Sequence, residues 1–382
     1  MTVPSNVVSL TQALVRIPSV NPDGDPGTPQ TGEEACARFV GEFLAASGAE
    51  VQLDYVQPNR PNVIGRFPTH PAADGKRKPR ILFAPHTDTV SVGGMSIEPF
   101  CGDLRDGRVW GRGASDTKGP MATMLWALYE MRGLIADLPV EVHFAGFMSE
   151  ESAQLGSQHF ADHHGPYDFA IIGEPTNLKT VFKHKGCLWA DVSTSGVAVH
   201  GATPERGINA IVKMAPIIQA LDTDFRRVLV EKGGSDEWLG ISTINLGMIQ
   251  GGTRSNIVAD ACTLRVDMRT TPGLINAGGA LGALTSFVKS VDAEAVVVPQ
   301  PETFPLDTDP QNVFVQALVA AGAGLTGAPW FCDAAFLAAK GTPSVAVGPG
   351  SIAQAHTKDE YIAVADLEDG AAFFISFLKS LV

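Results

Sequence analysis

The chain is poor in basic residues: 28 lysines and arginines stand against 41 aspartates and glutamates, and the formal net charge is −13. Nucleic-acid binding depends on basic patches that meet the phosphates. The basic cluster at residues 76–78 lies in a stretch flanked by proline and glycine, which predicts a solvated loop. The composition therefore argues against a nucleic-acid-binding protein.

Cysteine is also scarce, and the five cysteines are far apart, with no Cys-x-x-Cys pair. An odd, dispersed set is more typical of reduced thiols than of a disulfide framework. The first 20 residues lack the basic segment and apolar core of a signal peptide, and no apolar run reaches the length of a membrane span. We therefore expect a cytoplasmic protein that does not bind membranes.

With 382 residues, the chain is long enough for two domains. Up to residue 178, short apolar strands alternate with helical patterns, which predicts a mostly parallel sheet flanked by helices on both faces, an α/β fold. The predicted helices are 7–16, 31–44 and 120–131, and the predicted strands are 51–55, 62–67, 80–84, 140–147 and 169–172.

After residue 178 the pattern changes. Alternating strands at 187–195, 243–249 and 262–269, with helices at 204–221 and 274–290, predict a compact α+β insertion over residues 179–292. A strand at 294–298, helices at 312–321 and 366–381 and a strand at 343–347 then predict a return to the first domain. That domain should therefore comprise residues 1–178 and 293–382.

Acidic and imidazole side chains recur where predicted strands meet loops. They are His86, Asp88, Asp116, Glu150, Glu151, Glu174 and His356. The carboxyl ends of parallel strands meet at one edge of a sheet, where function collects. Imidazoles and carboxylates that converge there suit a divalent cation, and two cations that share a carboxylate can activate water. The pattern therefore predicts a metal-dependent hydrolase.

Each of these motifs is weak by itself. His86 alone is more typical of a buried, hydrogen-bonded histidine, and Asp116 is equally compatible with a helix N-cap. Adjacent glutamates often open a solvated loop, although Glu150 and Glu151 follow an apolar strand and point in different directions. That arrangement suits a general base beside a metal ligand. Asp88, two residues from His86 on an extended segment, is a candidate to orient either the ring or the base.

The joint order and context of these residues resemble the M20-type dinuclear metallohydrolases over nearly the whole chain. The resemblance implies two metal sites that share Asp116. One site would comprise His86, Asp116 and Glu174, and the other Asp116, Glu151 and His356. Zinc fits this ligand set, and cobalt or manganese could also occupy it.

The resemblance also implies roles for neighbouring residues. Glu150 would be the general base, and Asp88 would be a carboxylate that orients the neighbouring groups without binding metal itself. The peptide bond after Asp116 is often cis in this family. A protein that kept the scaffold as a non-catalytic metal-binding module would have lost a ligand or the base, and no such position is vacant. A nucleotide-binding α/β protein would need a phosphate loop, which the glycines near residue 112 do not form.

The insertion resembles the family's dimerisation or lid domain, which implies a homodimer. His200 would stabilise the oxyanion in the active site of the partner subunit. Asn256 would hydrogen-bond the substrate, and Arg269 would pair with its carboxylate, because the guanidinium fork matches both oxygens. For Arg269, a strand residue in a surface ion pair is the alternative.

Within the family, residues 348–356 and 359–361 resemble the acetylornithine deacetylase branch. The resemblance implies hydrolysis of a small N-acyl-L-amino acid, namely N-acetyl-L-ornithine, to L-ornithine and acetate. Gly350 and Ser351 could bind the substrate carboxylate through backbone amides, and Asp333 could recognise the ornithine ammonium. Succinyl-diaminopimelate desuccinylase and broader aminoacylase, dipeptidase or carboxypeptidase activities are the alternatives.

Overall fold

The computed structural model describes residues 3–381 of the chain, which form two compact units. The first unit contains the chain up to Phe182, the segment Thr308–Thr326 and the chain from Cys332 onward. The second contains Lys183–Asp307 and Gly327–Phe331. Among the described residues, no helix is both long enough and apolar enough to cross a membrane.

The helices and strands are numbered along the chain. The helices are α1 (Val7–Val15), α2 (Glu34–Ala46), α3 (Gly119–Met131), α4 (Leu155–His163), α5 (Ala210–Asp222), α6 (Asp224–Gly233), α7 (Pro272–Asn276), α8 (Ala280–Val291), α9 (Val313–Ala320), α10 (Ala334–Ala339) and α11 (Val364–Ser380). The strands are β1 (Glu50–Gln57), β2 (Arg60–Arg66), β3 (Arg80–Ala84), β4 (Asp103–Arg105), β5 (Arg108–Trp110), β6 (Glu141–Gly146), β7 (Phe169–Ile172), β8 (Thr180–His184), β9 (Gly186–Ser195), β10 (Thr243–Gly251), β11 (Ala261–Thr270), β12 (Val296–Thr303), β13 (Leu306–Asp307), β14 (Leu325–Ala328), β15 (Ser344–Ala346) and β16 (Tyr361–Ala363).

The main sheet of the first unit is parallel at its centre, where β6, β3, β7 and β15 lie side by side. At one edge β1 and β2 pair antiparallel, and at the other β8 runs antiparallel to β15. All four residues of β7 are apolar and buried, as expected for a strand covered on both faces. The predicted mostly parallel α/β sheet is therefore confirmed.

Helices cover this sheet with apolar side chains. Phe374 and Phe377 of α11 are fully buried, and their rings contact Phe83 of β3 edge to face, with centroid distances of 5.8 and 6.4 Å. Burying one such ring contributes about 2–3 kcal/mol. This packing holds the carboxyl end of β3, which carries His86, in a fixed position.

A small sheet of β16, β5 and β4 also belongs to the first unit. Its strands pair antiparallel, with Tyr361 opposite Trp110 and Asp103 opposite the same tryptophan on the other side. Because β5 precedes the turn that carries Asp116, and β16 follows the segment that carries His356, this sheet brings two distant parts of the sequence together.

The second unit contains an antiparallel sheet in the order β10, β11, β9 and β12, with α5, α6 and α8 packed on a core of its own. Only the last three residues of the predicted strand at 294–298 belong to β12, which pairs with β9 instead of returning to the first sheet. The expected boundary at residue 292 is therefore too early, and this unit continues to Asp307. Alternation predicts a strand but does not say which sheet it joins.

Two of the predicted helices in the insertion are interrupted. A 3-10 turn at Pro204–Arg206 precedes α5, and α7 is separated from α8 by Gly278 and Gly279. Both glycines have a positive φ, at 105° and 83°, which a continuous right-handed helix does not allow. The apolar spacing continued across these breaks, so the pattern alone predicted single helices.

Candidate metal centre

His86 lies just beyond β3, and its imidazole is held in one orientation. The Nδ1 atom is 3.0 Å from the backbone carbonyl oxygen of Asp88. A carbonyl only accepts hydrogen bonds, so Nδ1 carries the proton that it donates, and Nε2 is the nitrogen left for a ligand. Nε2 lies 3.1 Å from Oδ1 of Asp116.

Asp116 lies in an irregular buried turn between β5 and α3. Its peptide bond to Thr117 is cis, as the resemblance implies. While Oδ1 faces His86, Oδ2 lies 3.3 Å from Nε2 of His356. The two oxygens of one carboxylate thus face two different histidines, which is the arrangement that a bridging ligand requires.

Glu151 completes the second side of this group. Its Oε2 lies 3.0 Å from Nε2 of His356, and ligand atoms of His86, Asp116 and Glu151 all lie within 4.8 Å of one another. Glu174 follows β7, and its buried Oε1 has no hydrogen-bond partner in the part of the chain that the structure describes. A buried charged oxygen without a partner is costly, and a cation would satisfy it.

Several buried carboxyl groups lie close together in this site, an excess of acidic groups that favours divalent cations. Burial raises the pKa of both Glu150 and Glu174 well above the usual range. Burial and the nearby charge of Asp116 raise the pKa of Glu151 to about 7. Cations placed among these groups would stabilise the charged carboxylates instead. The donor set and its unsatisfied oxygen therefore fit two metal ions.

The imidazoles show the complementary effect. Hydrogen bonds to Asp116 and Glu151 raise the pKa of His356 to about 10. Burial alone would lower the pKa of His86, but its hydrogen bonds with Asp116 and Asp88 raise it well above its usual value. Both rings thus sit in a strongly negative field, which would equally attract cations.

Asp88 acts on the main chain of the two glutamates. Its Oδ1 accepts the backbone N–H of Glu150 at 3.0 Å, and its Oδ2 accepts that of Glu151 at 3.0 Å. The carboxylate lies 3.5 Å from the His86 ring, farther than the backbone carbonyl of Asp88 at 3.0 Å. The carbonyl therefore orients the ring, and the carboxylate holds the main chain of the two glutamates. Asn21 donates to Oδ2 at 2.8 Å. No sequence motif had indicated Asn21.

Asp333 is almost completely buried, with an exposed fraction of 1%. Ser157 donates a short hydrogen bond from its Oγ to Oδ1, while Oδ2 has no hydrogen-bond partner among the described residues. Burial raises the pKa of this carboxyl to about 7. Its role toward a substrate ammonium therefore remains a prediction, and the contact that the structure provides is the one with Ser157.

Gly350 and Ser351 lie against the turn that carries Asp116. The Oγ of Ser115 donates to the backbone carbonyl of Ser351 at 3.2 Å. Gly350 has a φ of 80°, and a Cβ at this position would come within 2.9 Å of the Ser115 Oγ. Only glycine fits this conformation and this space without displacement.

The other three predicted residues belong to the second unit. The Nδ1 of His200, an exposed residue, accepts the backbone N–H of Ala202 at 3.1 Å, which leaves Nε2 free to donate. The adjoining Gly201 donates its N–H to the carbonyl of Asn256 at 2.7 Å. Arg269 pairs with both oxygens of Asp267, each at 2.8 Å, which is the ion pair considered as an alternative.

A family model described as "Peptidase family M20/M25/M40" matches residues 82–380. The chain is 30% identical to the acetylornithine deacetylase of Vibrio vulnificus over 366 residues, which cover 92% of each chain. It is also 30% identical to that of Proteus mirabilis, over 94% of this chain and 93% of the relative. A solved tripeptidase from Staphylococcus aureus has the same fold, with a TM-score of 0.78 at 20% identity, over 99% of this chain and 98% of that one.

Proposed function

Because the chain belongs to peptidase family M20/M25/M40, an assignment that makes it an amide hydrolase, we propose that it removes the acyl group from an N-acyl-L-amino acid. N-acetyl-L-ornithine is the proposed substrate. The observation that carries the proposal is the position of Asp116, whose two carboxylate oxygens face His86 at 3.1 Å and His356 at 3.3 Å.

The proposed metal ligands are His86, Asp116, Glu151, Glu174 and His356. When bound, two divalent cations, zinc in the first instance, would polarise the scissile carbonyl and lower the pKa of a water molecule. Asp116 would contribute one oxygen toward each cation. The unsatisfied Oε1 of Glu174 supports its place in this set.

Glu150 is the proposed general base. Its backbone is held by Asp88. Among residues 3–381 no salt bridge engages its carboxylate, which accepts a long hydrogen bond of 3.4 Å from Gln154. Its carboxylate would take a proton from the attacking water and return it to the departing amine, since an amine leaves readily only when protonated. Burial raises the pKa of Glu150, and a carboxylate with a raised pKa is a stronger proton acceptor.

The acetylornithine assignment is supported by the two curated relatives, each 30% identical over more than nine tenths of this chain. Desuccinylase, aminoacylase, dipeptidase and carboxypeptidase activities are the alternatives on the same scaffold. Gly350, Ser351, Asn256 and Arg269 are the proposed substrate contacts. The guanidinium of Arg269 is paired with Asp267. To bind a substrate carboxylate, Arg269 would have to break this ion pair or hold both carboxylates at once.

A homodimer through the second unit is the proposed assembly, in which His200 would stabilise the oxyanion of the partner's active site. Apolar side chains are exposed along one helix and one edge strand of this unit. Val212 of α5 and Met248 of β10 are each 67% exposed, and β10 has a neighbour on one side only. Such an edge suits pairing with a second copy. The proposed compartment is the cytoplasm.

The test is a substrate panel on zinc-reconstituted enzyme. Initial rates would be measured with N-acetyl-L-ornithine, succinyl-diaminopimelate and N-acetyl-L-methionine, with chelated enzyme as the control. We expect the highest kcat/KM for N-acetyl-L-ornithine and no turnover after chelation. A higher kcat/KM for another substrate would reassign the substrate, and full activity without metal would overturn the metal mechanism.

A further inference from the structure

A second buried carboxylate, Glu360, holds the turn that carries Asp116. It lies just before β16, and none of its surface is exposed. Its Oε1 accepts the backbone N–H groups of Ser115 at 2.9 Å and Asp116 at 3.0 Å. Its Oε2 accepts the backbone N–H of Gly113 at 3.1 Å. Three main-chain donors of one turn therefore converge on a single side chain.

Arg112 completes this arrangement and extends it to His356. Its Nη1 donates to Oε2 of Glu360 at 2.7 Å and to the backbone carbonyl of Thr357 at 3.1 Å. Thr357 directly follows His356. The guanidinium and the carboxylate thus connect the main chain beside Asp116 with the main chain beside His356. The side chains of these two residues face each other, with Oδ2 of Asp116 3.3 Å from Nε2 of His356.

We infer that Glu360, paired with Arg112, is a positioning residue that fixes the main chain of Asp116 for metal binding. The inference rests on the proposed metal-dependent function. Glu360 touches neither the proposed ligand atoms nor the substrate; it acts through the backbone of Asp116. Charge-assisted bonds from backbone N–H groups to a buried carboxylate are strong and leave the turn little freedom. Groups that orient ligands in this way typically change metal affinity by about 10–100-fold.

The replacement Glu360→Gln makes a sharp test because all four partners of the carboxylate are donors. A glutamine has one acceptor oxygen and one NH₂ donor. If its NH₂ replaces Oε1, it opposes the N–H groups of Ser115 and Asp116; if it replaces Oε2, it opposes Arg112 and the N–H of Gly113. In either orientation two hydrogen bonds are lost. The first orientation removes the bond to the N–H of Asp116 itself, and the second removes the bonds that hold Arg112 and Gly113, which precede Asp116 in the same turn.

The matched control is Glu368→Gln, the same chemical change at an exposed position of α11. Zinc affinity would be measured on the full-length, metal-free proteins by competition with a chromophoric chelator. The visible spectrum of the cobalt-loaded proteins would report ligand geometry. We expect Glu360→Gln to weaken zinc binding at least about tenfold and to change the cobalt spectrum, while Glu368→Gln leaves both unchanged.

The outcomes separate the inference from the function on which it rests. A wild-type chain that binds no zinc would refute the proposed function, and the inference with it. If the wild type binds two zinc ions and Glu360→Gln binds them equally well, even with a lower melting temperature, the inference alone is overturned.

If Glu360→Gln does not fold, Glu360→Asp answers the same question. It keeps the charge but draws the carboxylate back by about 1.5 Å, the length of one carbon–carbon bond. Such a group cannot reach all four donors together, so we again expect at least about tenfold weaker zinc binding. Wild-type affinity in a folded Glu360→Asp protein would refute the positioning role.

Discussion

The carboxylate of Asp88 accepts the backbone N–H of Glu151 at 3.0 Å, across a separation of 63 residues in the sequence. This contact fixes the main chain of Glu151 while its side chain remains directed at His356. The proposed metal ligand Glu151 is thus placed by its backbone, and its carboxylate would remain available to a cation. The same carboxylate holds the neighbouring Glu150, so one side chain sets the spacing between the proposed base and a proposed ligand.

We therefore expect Asp88→Asn to lower kcat/KM by about 100-fold, the effect of a displacement of about 1 Å at a reacting group. The amide NH₂ would oppose the backbone N–H of either Glu150 or Glu151. Steady-state kinetics would be compared with Asp359→Asn, the same replacement at an exposed residue. Unchanged kinetics in folded Asp88→Asn would remove Asp88 from this role.

For Glu150→Gln we expect a fall in kcat of about 100- to 10,000-fold, the usual contribution of a general base. Metal content should be retained, because Glu150 is not among the proposed ligands. The melting temperature should not fall. Burial disfavours the charged form of this carboxyl, as its raised pKa shows, and a neutral amide does not carry that desolvation cost. Metal analysis, calorimetry and turnover assays would check these outcomes. Substantial residual turnover would mean that another group takes the proton.

Gly350→Ala should impair both stability and activity. Its φ of 80° costs an alanine about 1–2 kcal/mol. The new Cβ would also press on the Oγ of Ser115, the residue before Asp116. The control is Gly341→Ala. Gly341 has a φ of 86°, and no atom of residues 3–381 outside its immediate neighbours lies within 4 Å of the added carbon. We expect similar backbone strain in both variants and a loss of zinc affinity only at position 350. Equal zinc affinity in the two would contradict this.

The stability of the fold should depend on His143. Burial, together with the charges of Arg66 and Arg80, lowers the pKa of this imidazole to about 4. Between pH 6.5 and 4 the unfolded chain therefore binds a proton that the folded chain does not. It follows that stability is present above pH 6.5 and is lost as the pH falls toward 4. At about 1.4 kcal/mol per pKa unit, the loss amounts to about 3 kcal/mol.

Chemical unfolding at pH 7 and pH 4.5 would measure this dependence. His143→Gln should reduce the difference in unfolding free energy between the two pH values, because the glutamine does not titrate. His163→Gln, at an exposed position of α4, is the control and should preserve the wild-type difference. An equal pH dependence in His143→Gln and the wild type would show that His143 is not responsible.

Much of the fold could be predicted because its signals are local. The buried strand at 169–172 appears with the predicted bounds, and the helix predicted at 120–131 begins one residue earlier, at Gly119. The sheet that the strand at 294–298 joins could not be predicted in this way. The alternation of this strand is the same whichever sheet it joins, and only its pairing with β9 assigned it to the second unit.

The sequence by itself determined which side chains would stand at the ends of strands, because strand ends are marked by apolar runs that stop at His86, Glu150 and Glu174. The tertiary structure alone decided what each of these groups meets. The two oxygens of Asp116 face different histidines, and Asp88 and Glu360 hold the main chain of the site. These contacts join residues far apart in the chain. Every residue except proline has the same backbone N–H, so the type of the donating residue does not reveal which N–H groups a carboxylate will bind.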